Sequence, residues 1–237
     1  ETLSCLNLAK KNNNNIIAFS SGGEMKKICE KNKIKHIKIT QLHSPRASFT
    51  VYLYTMLKVL KKIIPIDNND IYESIQKLQL TRKKICSSNL TESNTALNLA
   101  EWIIGIPLIY YPYGLQACAT RFKNSLQENA KMHALAEDVL EASHNGIVSW
   151  ERKSEVQPII LRGKDDYIKT KERWQIFKEY FKKNDIEYQE IMSVNGSILS
   201  KLITLIYLLD YCSIYKAALS NIDPTPILSI DYIKKRL

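Results

Sequence analysis

The sequence predicts an α/β protein of two subdomains, each with a mainly parallel sheet flanked by helices. The first observation is an alternation of apolar strand, glycine turn, helix and second strand within residues 16–39. Short connections of this kind are typical of a doubly wound layer. The second observation is that the alternation begins again at residues 107–111. We therefore expect a division near residue 88, with subdomains at 1–88 and 89–237.

Apolar periodicity and turn residues define the elements of the first half. Residues 16–20 and 34–39 are predicted strands, and Gly22-Gly23 forms the turn before a helix. Pro45 lies where the first turn of a helix favours proline, which predicts a helix to about residue 64. Further helices are predicted over 2–11, 24–31, from the polar caps at 67–70 to residue 86, and from those at 91–94 to residue 104.

The second half repeats this order with longer helices. Strands are predicted over 107–111, 156–162 and 187–194, with a turn at Tyr113-Gly114 after the first. Helices are predicted over 115–124, from about residue 133, and over 169–183, 198–219 and 227–237. Pro224 and Pro226 separate the last two helices, because proline cannot continue a helix. The expected result is a second α/β layer closed by a terminal helix.

The bulk composition is that of an ordinary globular chain. Apolar residues make up 45% and charged residues 24%, and no uninterrupted apolar run reaches the roughly 18 residues of a membrane span. We expect no membrane partner. The five cysteines are scattered without metal-ligand spacing, which favours a reducing, cytoplasmic compartment. No signal peptide is recognisable. Glu1 is followed by a helical pattern, so we expect the numbered sequence to begin partway through a fold.

The net charge of +10 has two interpretations. It can reflect an anionic partner, either nucleic acid or a phosphorylated metabolite. It can equally reflect a compositional bias towards lysine, asparagine and isoleucine. The lysines are dispersed and lack the interleaved arginine and aromatic residues of a nucleic-acid groove, so we expect no nucleic-acid partner.

Two residues suggest proton-transfer chemistry. Glu128 and His144 lie 16 positions apart, each beside an asparagine. A carboxylate can move a proton between carbons and an imidazole can open a sugar ring. We expect Glu128 in a loop between two helices and His144 in a turn, where either side chain could equally be a solvated surface group.

Basic residues supply candidate anion ligands. Arg46 lies at a predicted helix start, where a guanidinium and the helix N-terminus both attract anions. Arg121 lies in the helix before Glu128 and could face the same cleft or form a structural ion pair. Lys234 and Lys235 lie in the last turn of the terminal helix, where basic residues also favour the helix dipole. The other three histidines have no acidic or cysteine partner at metal spacing, and no metal or redox cofactor is expected.

Taken together, the segments resemble the archaeal-type bifunctional phosphoglucose/phosphomannose isomerases, which consist of two sugar-isomerase (SIS) domains. The matching stretches occur in family order along the chain. They are Glu1-Thr2-Leu3, Ser21-Gly22-Gly23-Glu24, Pro45-Arg46-Ala47, Arg121-Phe122-Lys123-Asn124, Glu128-Asn129-Ala130-Lys131, Ser143-His144-Asn145, Ser213-Ile214-Tyr215 and Asp223-Pro224-Thr225-Pro226 through Lys234. The resemblance implies two SIS-type subdomains, each an α-β-α sandwich, with an incomplete start to the first.

The resemblance also implies a mechanism, an aldose–ketose isomerisation of hexose 6-phosphates through a cis-enediol. In it Glu128 is the base and Arg46 steadies the enediolate. His144, supplied by the other subunit of a homodimer, opens the ring together with Lys234, or Lys235 if the register shifts by one. The implied substrate-binding residues are Thr2, Gly22, Gly23, Arg121 and Thr225, the last in the segment that admits either C2 epimer.

Several positions depart from the family pattern. The serine/threonine phosphate loop expected ahead of Glu1 is not in the numbered sequence. Gly146 and Lys216 stand where acidic and small or apolar residues are usual, and Asn221-Ile222 precede Asp223 where a glycine is usual. These differences keep open an alternative function, that of a non-catalytic phosphosugar-binding sensor that regulates a partner.

Overall fold

The computed structural model describes residues 1–12 and 15–236, and the chain forms two compact units, Glu1–Asp67 and Asn68–Leu237. The predicted division near residue 88 differs from this one because helix α4 (Asn68–Ile85) packs against helix α9 (Ile198–Leu219) of the second unit. The placement of the subdomain boundary stays a prediction. The α/β class, with parallel sheets and flanking helices, is confirmed.

The described residues of the first unit form two parallel strands and three α-helices. Its elements are α1 (Thr2–Lys11), β1 (Ile17–Ser20), α2 (Gly23–Lys31), β2 (Lys35–Lys38), a 3-10 turn (Arg46–Ser48) and α3 (Phe49–Val59). Strands β1 and β2 pair in parallel, with Ile17 opposite Lys35 and Ser20 opposite Lys38. Helix α3 ends before residue 64, the predicted end.

A small apolar cluster holds this unit together. Leu6 of α1, Ala18 of β1 and Cys29 of α2 are buried against one another, with further apolar side chains packed around them. Helices α1 and α2 and strand β1 thus bury one face each, as the periodicity of helices and strands predicts.

The second unit is built on a four-stranded, all-parallel sheet in the order β4-β3-β5-β6. The strands are β3 (Ile106–Tyr111), β4 (Leu135–Asp138), β5 (Val156–Arg162) and β6 (Gln189–Met192). The remaining helices are α5 (Thr95–Trp102), α6 (Gln116–Asn129), α7 (Val139–Ala142), α8 (Ile168–Lys183) and α10 (Leu228–Lys234), with a 3-10 segment at Gly146–Glu151.

Two expectations for this unit are wrong. The helix predicted to begin near residue 133 is instead strand β4, which is short and lacks alternating polarity. Helix α6 extends to Asn129 and does not end near residue 124, because Phe122 and Leu126 continue its buried face. Residue 237, in the predicted terminal helix, lies outside the described residues.

An aromatic cluster covers one face of the sheet. Tyr110 of β3 packs on Phe177 of α8, and its hydroxyl accepts a hydrogen bond from Trp150 Nε1 at 2.8 Å. Burial raises the pKa of Tyr110 to about 12. Ile109 and Ile159 are also fully buried and point to the opposite face, because successive strand residues alternate. Both faces of the sheet are therefore covered.

Helix α9 is the centre of the helical layer. It packs against α4, α5 and α6. Glu73 of α4 accepts hydrogen bonds from the Ser197 N–H at 2.9 Å and the Ser200 hydroxyl at 2.8 Å, and these bonds lower the pKa of Glu73. In the described part of the chain, α9 alone is long and apolar enough to cross a membrane, and half of its most apolar stretch is buried inside the unit. An apolar helix that is buried among other helices is equally typical of the core of a globular domain.

Asn94 ties three segments of the same layer together. Its side-chain oxygen caps α5 by accepting from the Ala96 and Leu97 N–H groups at 3.1 and 3.0 Å. Its amide donates to the Ile85 carbonyl, at the end of α4, and to Asn89. Because Asn94 is fully buried, each of these bonds satisfies a polar group that water cannot reach.

Candidate active site

The predicted site residues are divided between the two units. Those of the first unit are Thr2, Gly22, Gly23 and Arg46, and those of the second are Arg121, Glu128, His144, Thr225 and Lys234. All nine are described by the structure, and the two groups are taken separately below.

The turn after β1 has a backbone conformation that favours glycine. Gly22 and Gly23 have φ values of 145° and 65°, which L side chains rarely adopt. A Cβ at either position would meet no heavy atom within 4 Å, so the space beside the turn is open. The Ser20 hydroxyl lies 2.8 Å from His36 Nε2 and donates to the Gly22 carbonyl at 3.1 Å. His36, to which the sequence assigned no role, thus supports this turn.

Arg46 and Thr2 lie at the starts of helical segments. Arg46 is half-buried in the 3-10 turn that leads into α3. The turn is held by Ser48, whose hydroxyl is buried, donates to the Ser44 carbonyl at 2.9 Å and accepts from the Leu42 N–H at 3.0 Å. Thr2 is the exposed first residue of α1.

Glu128 occupies the last turn of α6, not the loop that was expected. The side chain is half-buried, and the residues that follow it, Asn129 and Ala130, are buried. Asn129 donates from Nδ2 to the Ser213 hydroxyl of α9 at 2.8 Å. A regular helix fixes the direction of a side chain more firmly than a loop does, so Glu128 has a defined orientation.

Lys131 connects this helix end to the segment at 223–226. Its ammonium donates to the Glu128 carbonyl, to the Pro226 carbonyl at 2.6 Å and to the Pro224 carbonyl at 3.5 Å. Lys131 itself has a φ of 55°, in the left-handed region. The carboxylate-bearing turn of α6 and the segment that carries Thr225 are thereby held together within the second unit.

Arg121 forms an ion pair between α6 and α9. Its guanidinium donates from Nε to Asp210 at 3.0 Å and from Nη2 at 2.6 Å, and the Ser125 hydroxyl donates to the same carboxylate at 2.9 Å. The side chains of Arg121 and Asp210 are 21% and 28% exposed. Burial raises the pKa of Asp210, and the bonds from Arg121 and Ser125 oppose that rise. Of the two roles weighed for Arg121, this geometry favours the structural ion pair.

His144 lies exposed in the turn that follows α7, as expected. The backbone N–H of His144 donates to the Glu141 carbonyl at 2.9 Å, and Asn145 Nδ2 donates to the Glu141 carboxylate at 2.7 Å. A Cβ on Gly146 would lie 2.7 Å from the Glu137 carboxylate, so this glycine makes room for Glu137. Burial, and then the charge of Glu141, raise the pKa of Glu137.

The terminal helix α10 presents Lys234 as its last residue. Lys234 and Lys235 are both exposed. The neighbouring Arg236 guanidinium lies 3.5 Å from the centre of the Tyr232 ring, so its charge is directed to the helix surface. Of these basic residues, the two lysines remain the candidates for chemistry.

The second unit supplies a carboxylate at Glu128, an imidazole at His144 and an ammonium at Lys234. Across residues 1–12 and 15–236, no group of three His, Cys, Asp or Glu side chains is placed to hold a metal ion. A carboxylate and an imidazole are groups that can transfer protons, and an ammonium can bind an anion.

Comparison with known proteins identifies the relatives of this chain. The model of the bacterial phospho-glucose isomerase C-terminal SIS domain matches residues 92–237. A bifunctional phosphoglucose/phosphomannose isomerase of Caldicellulosiruptor bescii is 32% identical, with all of this chain and 72% of the relative covered. Its counterpart in Thermoplasma acidophilum is 26% identical, with the same coverage.

Two solved structures share the fold at low sequence identity. A glucose-6-phosphate isomerase like protein of Thermus thermophilus has a TM-score of 0.65 at 14% identity, with 89% of this chain and 76% of that chain covered. The tagatose-6-phosphate ketose/aldose isomerase of Escherichia coli has a TM-score of 0.68 at 12% identity, with 95% and 67% covered.

Proposed function

The chain belongs to the family of bifunctional phosphoglucose/phosphomannose isomerases, which are sugar-phosphate isomerases, and from this membership we propose that it interconverts glucose 6-phosphate and mannose 6-phosphate with fructose 6-phosphate. The observation that carries the proposal is the bridge between the end of α6 and the segment at 223–226. This bridge links the backbone of Glu128 to the segment that carries Thr225, and it supports the proposal that the two residues act at the same sugar carbons.

Glu128 is the proposed base. It takes the proton from C2 of the open-chain aldose, and the electron pair of that C–H bond forms the C1=C2 double bond as the C1 carbonyl becomes an enediolate oxygen. The same carboxyl group then returns the proton to C1, while the O2 hydroxyl proton passes to O1, which leaves the ketose carbonyl at C2. The half-buried setting of Glu128 at a helix end suits this role, because a base partly shielded from water keeps its direction towards one face of the substrate. Thr225 is proposed to line the wall at C2, where the two aldose epimers differ.

The remaining roles concern charge and ring opening. Arg46 is proposed to stabilise the enediolate oxygen, since a guanidinium is always charged and can donate two parallel bonds. Thr2, Gly22 and Gly23 are proposed to hold the substrate, and the open space beside the glycine turn supports this for that turn. Arg121 is proposed to form a structural ion pair with Asp210 and not to bind the substrate.

His144 and Lys234 are proposed to open the sugar ring. An imidazole is suited to proton exchange at the ring oxygen, because its ordinary pKa lies near neutral pH. The exposure of His144 on its turn supports a further part of the proposal, that the histidine is supplied across the interface of a homodimer. The enzyme would act in the cytoplasm on the hexose phosphates that glycolysis and gluconeogenesis share, with no metal or redox cofactor.

The test is an assay with fructose 6-phosphate that measures glucose 6-phosphate and mannose 6-phosphate separately. We expect both products, and we expect Glu128→Gln to lower kcat by about a thousandfold, within the range for loss of a general base. Glu101→Gln is the matched control, because Glu101 is also the residue before the last of its helix, α5, and is exposed.

The outcomes separate the possibilities. If Glu128→Gln retained near-normal kcat while remaining folded, Glu128 would not be the base. If the wild-type chain bound the phosphosugars in calorimetry but formed neither product, the sensor function would replace the enzymatic one.

A further inference from the structure

Lys131 makes an unusual set of contacts for an exposed lysine. An ammonium has three N–H donors, and here they meet three backbone carbonyls from two segments far apart in sequence. One is the Glu128 carbonyl in the last turn of α6, and the others belong to Pro224 and Pro226. The last carbonyls of a helix have no partner within it, and they carry the negative end of its dipole. A cation placed there binds both the helix end and the distant segment.

The segment that Lys131 binds is stiff. Two prolines fix their own φ angles on either side of Thr225. The Thr225 N–H donates to the Asp223 side chain at 2.8 Å, which closes a local turn. The two carbonyls bound by Lys131 flank Thr225, so the ammonium links this short piece of chain directly to the helix end that carries Glu128.

Lys131 adopts a backbone conformation that most residues avoid. Its φ of 55° is left-handed, which costs roughly 1–2 kcal/mol for a residue with a Cβ. Glycine would fit the same backbone without that cost. The backbone conformation alone would favour glycine at this position, so the presence of lysine points to a role for its side chain.

From these contacts we propose that Lys131 is a positioning residue that sets the selectivity between the two aldose epimers. The inference rests on the proposed function. Glucose 6-phosphate and mannose 6-phosphate differ only at C2, the carbon from which Glu128 would remove the proton. A displacement of the Thr225 segment against the base would change the fit of one epimer more than that of the other.

The test compares three substitutions. Lys131→Met removes the charge at similar length, Lys131→Gly removes it and also relieves the left-handed backbone, and Lys131→Arg keeps the charge. We expect the ratio of kcat/KM for the two epimers to change about fivefold or more in the methionine and glycine variants, because small misplacements of reacting groups have large effects on rate. The arginine variant should lie nearer the wild type.

A second measurement does not depend on activity. Hydrogen exchange of the amides in residues 221–228 should become faster in Lys131→Met and Lys131→Gly than in the wild type. Lys169→Met is the control, because Lys169 forms only an exposed ion pair with Glu172 on α8. Its ratio and its exchange should match the wild type.

Each outcome is decisive. If both epimers slowed equally, or if ratio and exchange stayed unchanged, Lys131 would be an ordinary helix cap and the inference would be overturned. The glycine variant guards against simple unfolding, since it should melt close to the wild-type temperature. A wild-type protein with no turnover would defeat the proposed function, while the exchange measurement would still show whether Lys131 holds the segment.

Discussion

Replacing Arg121 by methionine removes the cation that faces Asp210 between α6 and α9. The carboxylate would keep only the hydrogen bond from Ser125. Removing one partner of a buried ion pair costs about 3–5 kcal/mol. Because the two side chains are 21% and 28% exposed, water can recover part of that cost. We therefore expect a loss of about 2–3 kcal/mol in the free energy of unfolding at pH 7, or about 5–10 °C in melting temperature.

The loss should depend on pH with a definite sign. Burial already raises the pKa of Asp210, and Arg121 opposes that rise, so the pKa of Asp210 should rise further in Arg121→Met. A carboxyl whose pKa is higher in the folded state favours folding below its unfolded pKa of about 3.9, and this stability is lost as the pH rises through the folded pKa. The difference between wild type and variant should consequently be small near pH 4 and largest at neutral pH.

Urea unfolding at pH 4 and pH 7 measures this difference. The double variant Arg121→Met/Asp210→Leu should recover most of the stability at pH 7, because no buried charge is left alone. An equal cost at both pH values, or no recovery in the double variant, would refute the reasoning. The KM for fructose 6-phosphate adds a functional reading: a rise of tenfold or more in the stable double variant would return Arg121 to the substrate-binding residues.

Further substitutions at three positions test the packing of the second unit. Gly105→Ala would place a Cβ 2.0 Å from the Glu155 carbonyl oxygen and should lower the free energy of unfolding by about 3 kcal/mol. Gly146→Ala would meet only the movable Glu137 carboxylate and should lower it by under about 1 kcal/mol. Urea unfolding measures both losses, and equal losses would contradict this distinction. Asn94→Ala should lose about 2–3 kcal/mol, since the cap of α5 and two bonds to backbone carbonyls disappear together. Asn94→Asp keeps the capping oxygen and should lie between, and a melting temperature equal to that of the alanine variant would argue against a capping contribution.

The sequence predicts five of the six described strands, and it fails at the strand in which half of the residues are acidic. Strands β1, β2, β5 and β6 lie within their predicted ranges, and β3 begins one residue before its predicted start, at Ile106. Strand β4 was missed because Leu135–Asp138 contains two acidic residues among four and offers no alternation. The end of α6 was placed too early because polar residues at 123–125 resemble a helix end, although Leu126 continues the buried face.

The site residues illustrate a different limit. Local motifs led to Glu128, His144 and Lys234, whose chemistry depends on their own side chains. Asp210 and Lys131 could not be recognised in that way. Arg121 meets Asp210 across 89 positions, and Lys131 meets Pro226 across 95, so only the folded chain brings these partners together.

Helix α9 has a consequence for the order in which the chain can fold during synthesis. Helices α4 and α5 end more than ninety positions before α9 begins, yet both pack against it, and the bond between Glu73 and Ser200 spans 127 positions. Until α9 leaves the ribosome, these helices lack the element against which they pack most extensively. Contacts of such long sequence separation form late and leave the nascent chain open to aggregation. The second unit should therefore gain its stability in a single late step, and a chain that stops before residue 198 should depend on a chaperone to stay in solution.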